Sequence, residues 1–301
     1  MSIVFDGRAF AQAKLRLVSQ KVEEGHRQTK KGLTIVSIYP FEDKASVLYT
    51  RLKKEDAAQV GIHYRTFPLS MKQTRHTWLR TVMDANHDTD TQAILVQKPS
   101  RESYAQFGDP TLDFSTWWQN IAEAISPDKD IDGLAPMTLF TLETAANQAV
   151  SKQIFLEDLS HFLLPATAQA VIDIALSALE NSVSHLRTKK IAVIGRSVIV
   201  GRPAAAGFQL LGAETQLFSS QHDLAKELPK FDIIISATGK SGLIQGDWLK
   251  SGSTLIDVGA PVPEFQADCY AKADFYTPVP YGVGPVTRAC LLENIFKLHS
   301  F

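Results

Sequence analysis

Ile191-Ala-Val-Ile-Gly-Arg-Ser-Val-Ile-Val-Gly-Arg-Pro203 is the stretch whose local pattern decides the fold. Ile191 to Ile194 is a short apolar run of the kind found in parallel strands buried on both faces. The chain then turns through Gly195, Arg196, Ser197, Val200 and Gly201, and Pro203 suits the first turn of a helix. That helix is rich in Ala, runs to residue 211 and stops at Gly212, and residues 214–218 read as the next strand. Glycines let such a turn approach a pyrophosphate, whose charge the helix N-terminus attracts. The spacing differs from G-x-G-x-x-G, since Gly195 and Gly201 stand six positions apart with Ser197 between them. A βα turn that binds nothing has the same local pattern.

The end of the second strand separates the cofactors. An Asp or Glu about 20 residues past the loop takes the ribose 2′-hydroxyl in NAD-binding folds. Ser219 and Ser220 occupy that place here, without an acid, and Arg196 lies in the loop. A missing carboxylate, a guanidinium and hydroxyls suit a 2′-phosphate, which favours NADP over NAD. The two serines are equally compatible with a plain turn.

A chain of 301 residues suggests two domains, each able to bury its own core. Hydrophobic residues make up 45% and charged ones 21%, ordinary for a globular enzyme, and a net charge of −1 gives no reason to expect a nucleic-acid partner. Cys269 and Cys290 form no metal-ligand spacing and are too few for a disulfide framework. The first residues lack the charged-then-apolar plan of a signal peptide, and no apolar run approaches the roughly 20 residues of a membrane span. The expectation is a cytoplasmic protein with no membrane partner.

In chain order, residues 8–25 read as an amphipathic helix, 33–38 as a strand, and 44–60 as a second helix closed by Gly61. Residues 63–68 are extended, 72–85 helical, 93–97 a strand and 112–125 a helix carrying Trp117 and Trp118. Strands alternating with helices imply parallel βαβ units. Residues 134–164 give no clear pattern, and 165–185 read as one long helix leading into the nucleotide unit. Two further apolar strands cover 232–238 and 253–258, a short one covers 274–277, and a turning, proline-rich segment precedes a closing helix through 298. The fold class is therefore α/β, an N-terminal parallel α/β domain followed by a Rossmann-type NAD(P)-binding domain.

Tyr49 and Lys53 are four apart on the second helix and share a face, as a solvated lysine beside a half-buried tyrosine also would. Gln97 ends a strand, where an open α/β sheet places its ligand crevice, though a polar strand end is ordinary. Asp132 in Asp128-Lys-Asp-Ile-Asp-Gly133 reads alone as a turn residue. His161, His185 and His222 have no partner the sequence identifies, so no metal site is expected.

Together, Tyr49-x-x-x-Lys53 with Gly61-Ile62, Leu95-Val96-Gln97, Lys129-Asp-Ile-Asp-Gly133, Gly195-Arg-Ser-x-x-Val-Gly-x-Pro203, Ser236-Ala-Thr-Gly239, Ile256-Asp-Val-Gly259 and Thr277-Pro-Val-Pro-x-Gly-Val-Gly-Pro285 occur in one order. That set resembles the bifunctional methylenetetrahydrofolate dehydrogenase/methenyltetrahydrofolate cyclohydrolase family. The resemblance implies a catalytic, folate-binding domain over 1–160, with the C-terminal helix 286–301 packing back on it, a nucleotide domain over 161–285, a cleft between the two, and a homodimer. It implies oxidation of methylenetetrahydrofolate with NADP and hydrolysis of the methenyl product to 10-formyltetrahydrofolate. Lys53 would be the catalytic lysine, Tyr49 the ring against the folate, Gln97 the partner of Lys53, and Asp132 the acceptor of the pterin's amino edge. NADP contacts would fall at Gly195, Arg196, Ser197, Val200, Gly201, Ser220, Thr238 and Gly239, and folate contacts also at Pro280, Tyr281 and Gly282. A lysine of ordinary pKa ~10.4 is a poor base at neutral pH, so this chemistry requires burial and neighbours that lower it.

The chain departs from the family pattern in places. Gln-Leu-Pro-Leu-Pro reads Gln97-Lys-Pro-Ser-Arg101, Pro-Cys-Thr-Pro reads Pro165-Ala-Thr-Ala168, and a Gly-Gly pair reads Tyr281-Gly282. The phenol of Tyr281 either points outward, changing nothing, or projects into the pocket and narrows it; the expectation is the second, since it would offer the substrate a stacking face. Two other readings are compatible: an enzyme keeping one activity or using a modified pterin, and a folate- or nucleotide-binding protein without turnover. The joint presence of Tyr49, Lys53, Gln97 and Asp132 weighs against the latter.

Overall fold

Parallel pairing organises both sheets of the computed structural model, which describes residues 2–299; residues 1, 300 and 301, at the ends of the expected domain spans, lie outside the described residues. In chain order the first elements are β1 (Ile3–Val4), α1 (Gly7–Thr29), β2 (Thr34–Pro40), α2 (Lys44–Gln59), β3 (His63–Leu69), α3 (Arg75–His87) and β4 (Ala93–Val96). Then come α4 (Arg101–Phe107), α5 (Phe114–Glu123), α6 (Pro136–Lys152), α7 (Ala166–Ser177) and α8 (Val183–Leu186). The last are β5 (Lys190–Ile194), α9 (Gly201–Leu210), β6 (Glu214–Phe218), α10 (Leu224–Glu227), β7 (Ile233–Ser236), β8 (Ser253–Asp257), β9 (Ala273–Tyr276), α11 (Val283–Glu293) and α12 (Ile295–Leu298). Among the described residues no helix is long and apolar enough to cross a membrane.

The chain forms two compact units, one of the residues through Ala13 with Thr138–Cys290, the other of Lys14–Met137 with the residues from Leu291 onward. The first holds a six-stranded sheet in the order β1-β9-β8-β7-β5-β6, all parallel. From β5 the chain passes to β6 on one side and then to β7 on the other, so the order reverses between β5 and β7. In open α/β sheets that reversal is where ligands bind, beyond the strands' carboxyl ends. The strands are buried apolar runs, as Ile191 to Ile194 and Ile233 to Ile235 show.

The second unit holds a three-stranded parallel sheet, β3-β2-β4, with β2 central. Helix α2 lies over β2 and β3, while α3 contacts β2 and β4. Ile38, Ile94 and Val96 share a core with Trp78, Tyr104, Trp117 and Ile121, and the Trp78 and Trp117 rings meet edge to face at 5.2 Å.

The structure departs from the sequence expectations in several places. The helix expected over 165–185 is broken: α7 stops at Ser177, Glu180 and Asn181 take positive φ (54° and 58°), and Ser182 caps the separate α8. The closing helix likewise breaks before α12, at Asn294, whose Nδ2 donates to the Ile131 carbonyl at 3.0 Å. Residues 134–164, which give no clear sequence pattern, contain α6, and α4 forms over residues that the sequence reading leaves unassigned.

Asp43 ties the start of α2 to the segment after β4. Its Oδ1 accepts from the Ser46 amide and its Oδ2 from the Ser100 amide, both at 2.8 Å. Burial pushes this carboxyl up, but the hydrogen bonds led by those from Ser100 and Ser46 outweigh it and hold the pKa below 3.8. Asp43→Ala should therefore cost about 2–3 kcal/mol in urea denaturation at pH 7. The difference from the parent protein should shrink as pH falls through the range in which Asp43 protonates. A cost independent of pH would mean the carboxylate charge plays no part.

Candidate functional site

The carboxyl ends of the strands gather the side chains with chemical potential in each unit. In the unit built on β3-β2-β4, Lys53 sits on α2, only 6% exposed, and its Nζ donates to Gln97 Oε1 at 2.9 Å. Gln97 follows β4 directly, and its main-chain N–H donates to the Ile38 carbonyl at 2.8 Å, so the sheet itself places it. Tyr49 lies half-buried one helical turn before Lys53. The acceptor in the Lys53–Gln97 bond is a neutral amide, which orients the amine without fixing its charge as a carboxylate would.

Asp132 is set by main-chain pairing beside β4. The Ile94 amide donates to Lys129 O at 2.7 Å, and Gly133, at φ 64°, closes the turn after Asp132. Lys129 of the same motif is structural: its Nζ donates to the carbonyls of Asn86 and Asp88, both at 2.8 Å. Asp130 is fully buried and accepts from the Ala135 amide at 2.6 Å; burial, with the charge of Asp132, pushes its carboxyl up to about 6. Burial, with the charge of Asp132 adding to it, also pushes up the Tyr64 phenol.

The other unit carries the turn quoted at the outset. Gly195 adopts φ 117°, and a Cβ there would stand 2.3 Å from Ala237 O; a Cβ on Gly201 would stand 1.7 Å from Gly195 O. Neither position tolerates a side chain, so the turn after β5 lies directly against the one after β7. Ser197 Oγ accepts from the Val200 and Gly201 amides at 3.1 and 3.4 Å, closing the turn onto α9. Val200 is buried, while Arg196 and Ser220 are exposed, Ser220 just past β6. Ser219 pairs instead with His222 Nδ1 at 3.1 Å through its amide and its hydroxyl.

Thr238 and Gly239 are held by a residue that sequence reasoning passed over. Glu264, 2% exposed, accepts from the Thr238 amide (2.9 Å), Thr238 Oγ1 (2.7 Å), the Gly239 amide (2.7 Å) and Ser236 Oγ (2.5 Å). Beside it Asp257, also buried, accepts from the amides of Gly259, Glu264 and Phe265 at 2.8, 2.9 and 3.3 Å. Burial foremost, with the Glu264 charge adding to it, pushes the Asp257 carboxyl up to about 6. The one signal available was an acid inside the stiff run Pro261-Val-Pro-Glu264.

Pro280, Tyr281 and Gly282 form a tight turn, with the Gly282 amide donating to Pro278 O at 2.9 Å. Tyr281 takes φ 79°, a strained angle for a tyrosine, and is 54% exposed. The Arg8 guanidinium lies 3.6 Å from its ring centroid, so one of the two stacking faces is already occupied.

Two family models match the chain, the tetrahydrofolate dehydrogenase/cyclohydrolase catalytic domain over residues 5–132 and the NAD(P)-binding domain of the same family over 165–301. The bifunctional protein FolD of Rhodospirillum rubrum is 32% identical, covering 98% of this chain and 96% of its own. That of Methanoculleus marisnigri is 31% identical, over 98% and 95%. The structure of the methylenetetrahydrofolate dehydrogenase-cyclohydrolase of Trypanosoma brucei, complexed with NADP cofactor and inhibitor, superposes with a TM-score of 0.82 at 28% identity, over 99% and 97% of the two chains.

Glu264→Gln removes a charge that bears on Asp257 while keeping its shape. The Asp257 carboxyl should then titrate below its value of about 6, yet above 3.8 because burial persists, as read by carboxyl carbon-13 NMR. A group raised in the folded state contributes stability that is present at low pH and lost as pH rises through its folded pKa. In the parent protein this contribution should thus fade between about pH 4 and 6. An unchanged Asp257 titration in the variant would show that the two carboxyls do not interact.

Proposed function

This chain belongs to the tetrahydrofolate dehydrogenase/cyclohydrolase family, and we propose that Lys53, held by Gln97, is the group that handles the proton in its chemistry. The protein is an enzyme of one-carbon metabolism that oxidises 5,10-methylenetetrahydrofolate with NADP and hydrolyses the methenyl product to 10-formyltetrahydrofolate. The hydrogen bond from Lys53 Nζ to Gln97 Oε1 is the observation that carries the reading of the site.

The turn between β5 and α9 suits a dinucleotide, because main chain meets main chain at Gly195 and Gly201 and the N-terminus of a ten-residue helix opens there. Arg196, Ser197 and Val200 belong to that turn, and Arg196 and Ser220 are exposed where a 2′-phosphate needs donors, with no acid at the end of β6. Thr238 and Gly239 shape the neighbouring turn, with their amides already taken by Glu264. When bound, NADP accepts the hydride from the one-carbon bridge.

Lys53 acts on the water that adds to the resulting cation. Its amine takes a proton from that water as oxygen bonds to the one-carbon centre; the adduct's hydroxyl then loses its proton and becomes the formyl carbonyl as the carbon–nitrogen bond breaks, and the released nitrogen keeps the electron pair and takes up a proton. Gln97 keeps the amine aimed through its carbonyl oxygen, and a neutral partner is suited to a group that must gain and lose a proton. Tyr49 offers its ring to the folate from the same helical face as Lys53. Asp132 supplies an acceptor for two N–H groups of the pterin edge. We also assign folate contacts to Pro280, Tyr281 and Gly282, as the family resemblance implies, Tyr281 having one ring face that Arg8 leaves open. We place the folate end in residues 1–160 and the nucleotide end in 161–285. A cytoplasmic homodimer is the setting we propose, supported by the family resemblance.

Lys53→Met should leave a folded protein that no longer hydrolyses methenyltetrahydrofolate, followed by loss of its absorbance. Unchanged turnover in that variant would remove Lys53 from the mechanism. Arg196→Ala should weaken NADP binding by about ten- to a hundredfold in calorimetry, and NAD binding far less, as expected for one lost charge-assisted contact to a phosphate. Equal losses for both cofactors would mean Arg196 does not face the 2′-phosphate.

A further inference from the structure

Lys98 and Arg101 stand where the family pattern has a leucine and a proline, immediately after Gln97. Both cations lean on the same aromatic surface of α5. Lys98 Nζ lies 5.4 Å from the ring centroids of both Phe114 and Trp118, and the Arg101 guanidinium carbon lies 5.3 Å from that of Phe114. Lys98 is half-buried.

Among the described residues neither cation forms an ion pair or a hydrogen bond to an acid. Three acids of the neighbourhood are engaged elsewhere, Asp43 with Ser46 and Ser100, Asp109 with Thr111, and Asp113 with the Thr116 amide as cap of α5, while Glu102, next to Arg101 in sequence, is exposed. Burial first, then the charge of Arg101, pushes the Lys98 pKa down. The segment that carries them is nevertheless fixed. The Ser100 amide donates to Asp43 at 2.8 Å, and Ser100 Oγ accepts from the Ser103 amide at 3.1 Å. Two like charges are thus held close together by the fold, with no ion pair to either among the described residues, an arrangement that costs energy until an anion arrives.

Alternation along β4 sets the direction. Ile94 and Val96 enter the core shared with Trp117 and Trp118, so Lys98 falls on that face and Gln97 on the opposite one, towards Lys53. A long substrate reaching Gln97 at the strand end meets Lys98 and Arg101 on crossing it. Tetrahydrofolates are of that form, a pterin and benzoyl body ending in the two carboxylates of a glutamate.

We propose that Lys98 and Arg101, braced on Phe114 and Trp118, form an anion-binding subsite for the glutamyl carboxylates of the folate substrate. The assignment rests on the reading of the protein as a folate enzyme. A carboxylate gains charge-assisted hydrogen bonds from both donors and relieves their mutual repulsion. The aromatic face supports the cations and the flat benzoyl group alike.

The test compares 5,10-methylenetetrahydrofolate with 5,10-methylenetetrahydropteroate, which lacks the glutamate, in NADP-dependent oxidation by the full chain and by Lys98→Met/Arg101→Gln. The double substitution should raise KM for the glutamyl substrate about ten- to a hundredfold, as expected for lost charge-assisted contacts, and move KM for the pteroate substrate and for NADP far less. Lys98→Arg alone should restore most of the loss when Arg101 is kept. An equal rise for both folate substrates, or none, would overturn the subsite. Should the double variant fail to fold, the parent protein decides: added salt should raise KM for the glutamyl substrate more steeply than for the pteroate, and parallel responses would overturn it. A parent protein that oxidises neither substrate would overturn the folate reading itself, and the subsite with it.

Discussion

Every strand pair in both sheets is parallel. Parallel neighbours cannot be joined by a tight hairpin, so each connection crosses over a face and the carboxyl ends of all strands in a sheet collect along one edge. The chemistry follows from that constraint. Gln97 leaves β4, Gly195 leaves β5, Ser219 and Ser220 leave β6, and Ala237 to Gly239 leave β7. Helix α2, packed on β2 and β3, brings Lys53 to Gln97. Most of the residues assigned here to substrate or cofactor thus share one topological position, just past a strand's last residue.

Turns at such an edge must be rigid to be useful, and buried carboxylates make them so. Glu264 fastens the turn after β7, Asp257 the segment after β8, Asp130 the turn carrying Asp132, and Asp43 the start of α2. Each accepts main-chain N–H groups, the partners that make a buried carboxylate tolerable. The arrangement is not free of cost, since Asp130 and Asp257 are pushed up to about 6 by their burial. The price is met where turns must keep their shape while ligands come and go.

The fold was legible in the sequence where periodicity and glycine coincide. The apolar runs of β5 and β7 stood out because buried parallel strands read as uninterrupted apolar stretches, and β6 was bounded by Gly212 before it and Ser219-Ser220 after it. The Lys53–Gln97 partnership was legible only through the ordered set of motifs, because 44 residues separate the pair and no local spacing reports the bond. The breaks at 178–182 and 294 were hidden, since they depend on left-handed backbone at Glu180 and Asn181 and on the long-range contact of Asn294 with Ile131. Glu264 was equally hidden, being an acid whose partners, Thr238 and Gly239, lie 26 and 25 positions away. Arg8 on Tyr281 joins residues from opposite ends of the chain, and no pattern within either segment announces it.

The central claim is that one protein carries both the oxidation and the hydrolysis, with NADP as its cofactor. Absorbance followed while the purified protein is incubated with 5,10-methylenetetrahydrofolate, with NADP in one cuvette and NAD in another, tests it most directly. With NADP, reduced nicotinamide should accumulate while methenyltetrahydrofolate absorbance stays below the matching amount, because the methenyl product is hydrolysed as it forms; with NAD, both signals should be weaker. Methenyltetrahydrofolate accumulating in equal amount to reduced nicotinamide would contradict the hydrolytic half. A faster reaction with NAD would contradict the assignment of the cofactor.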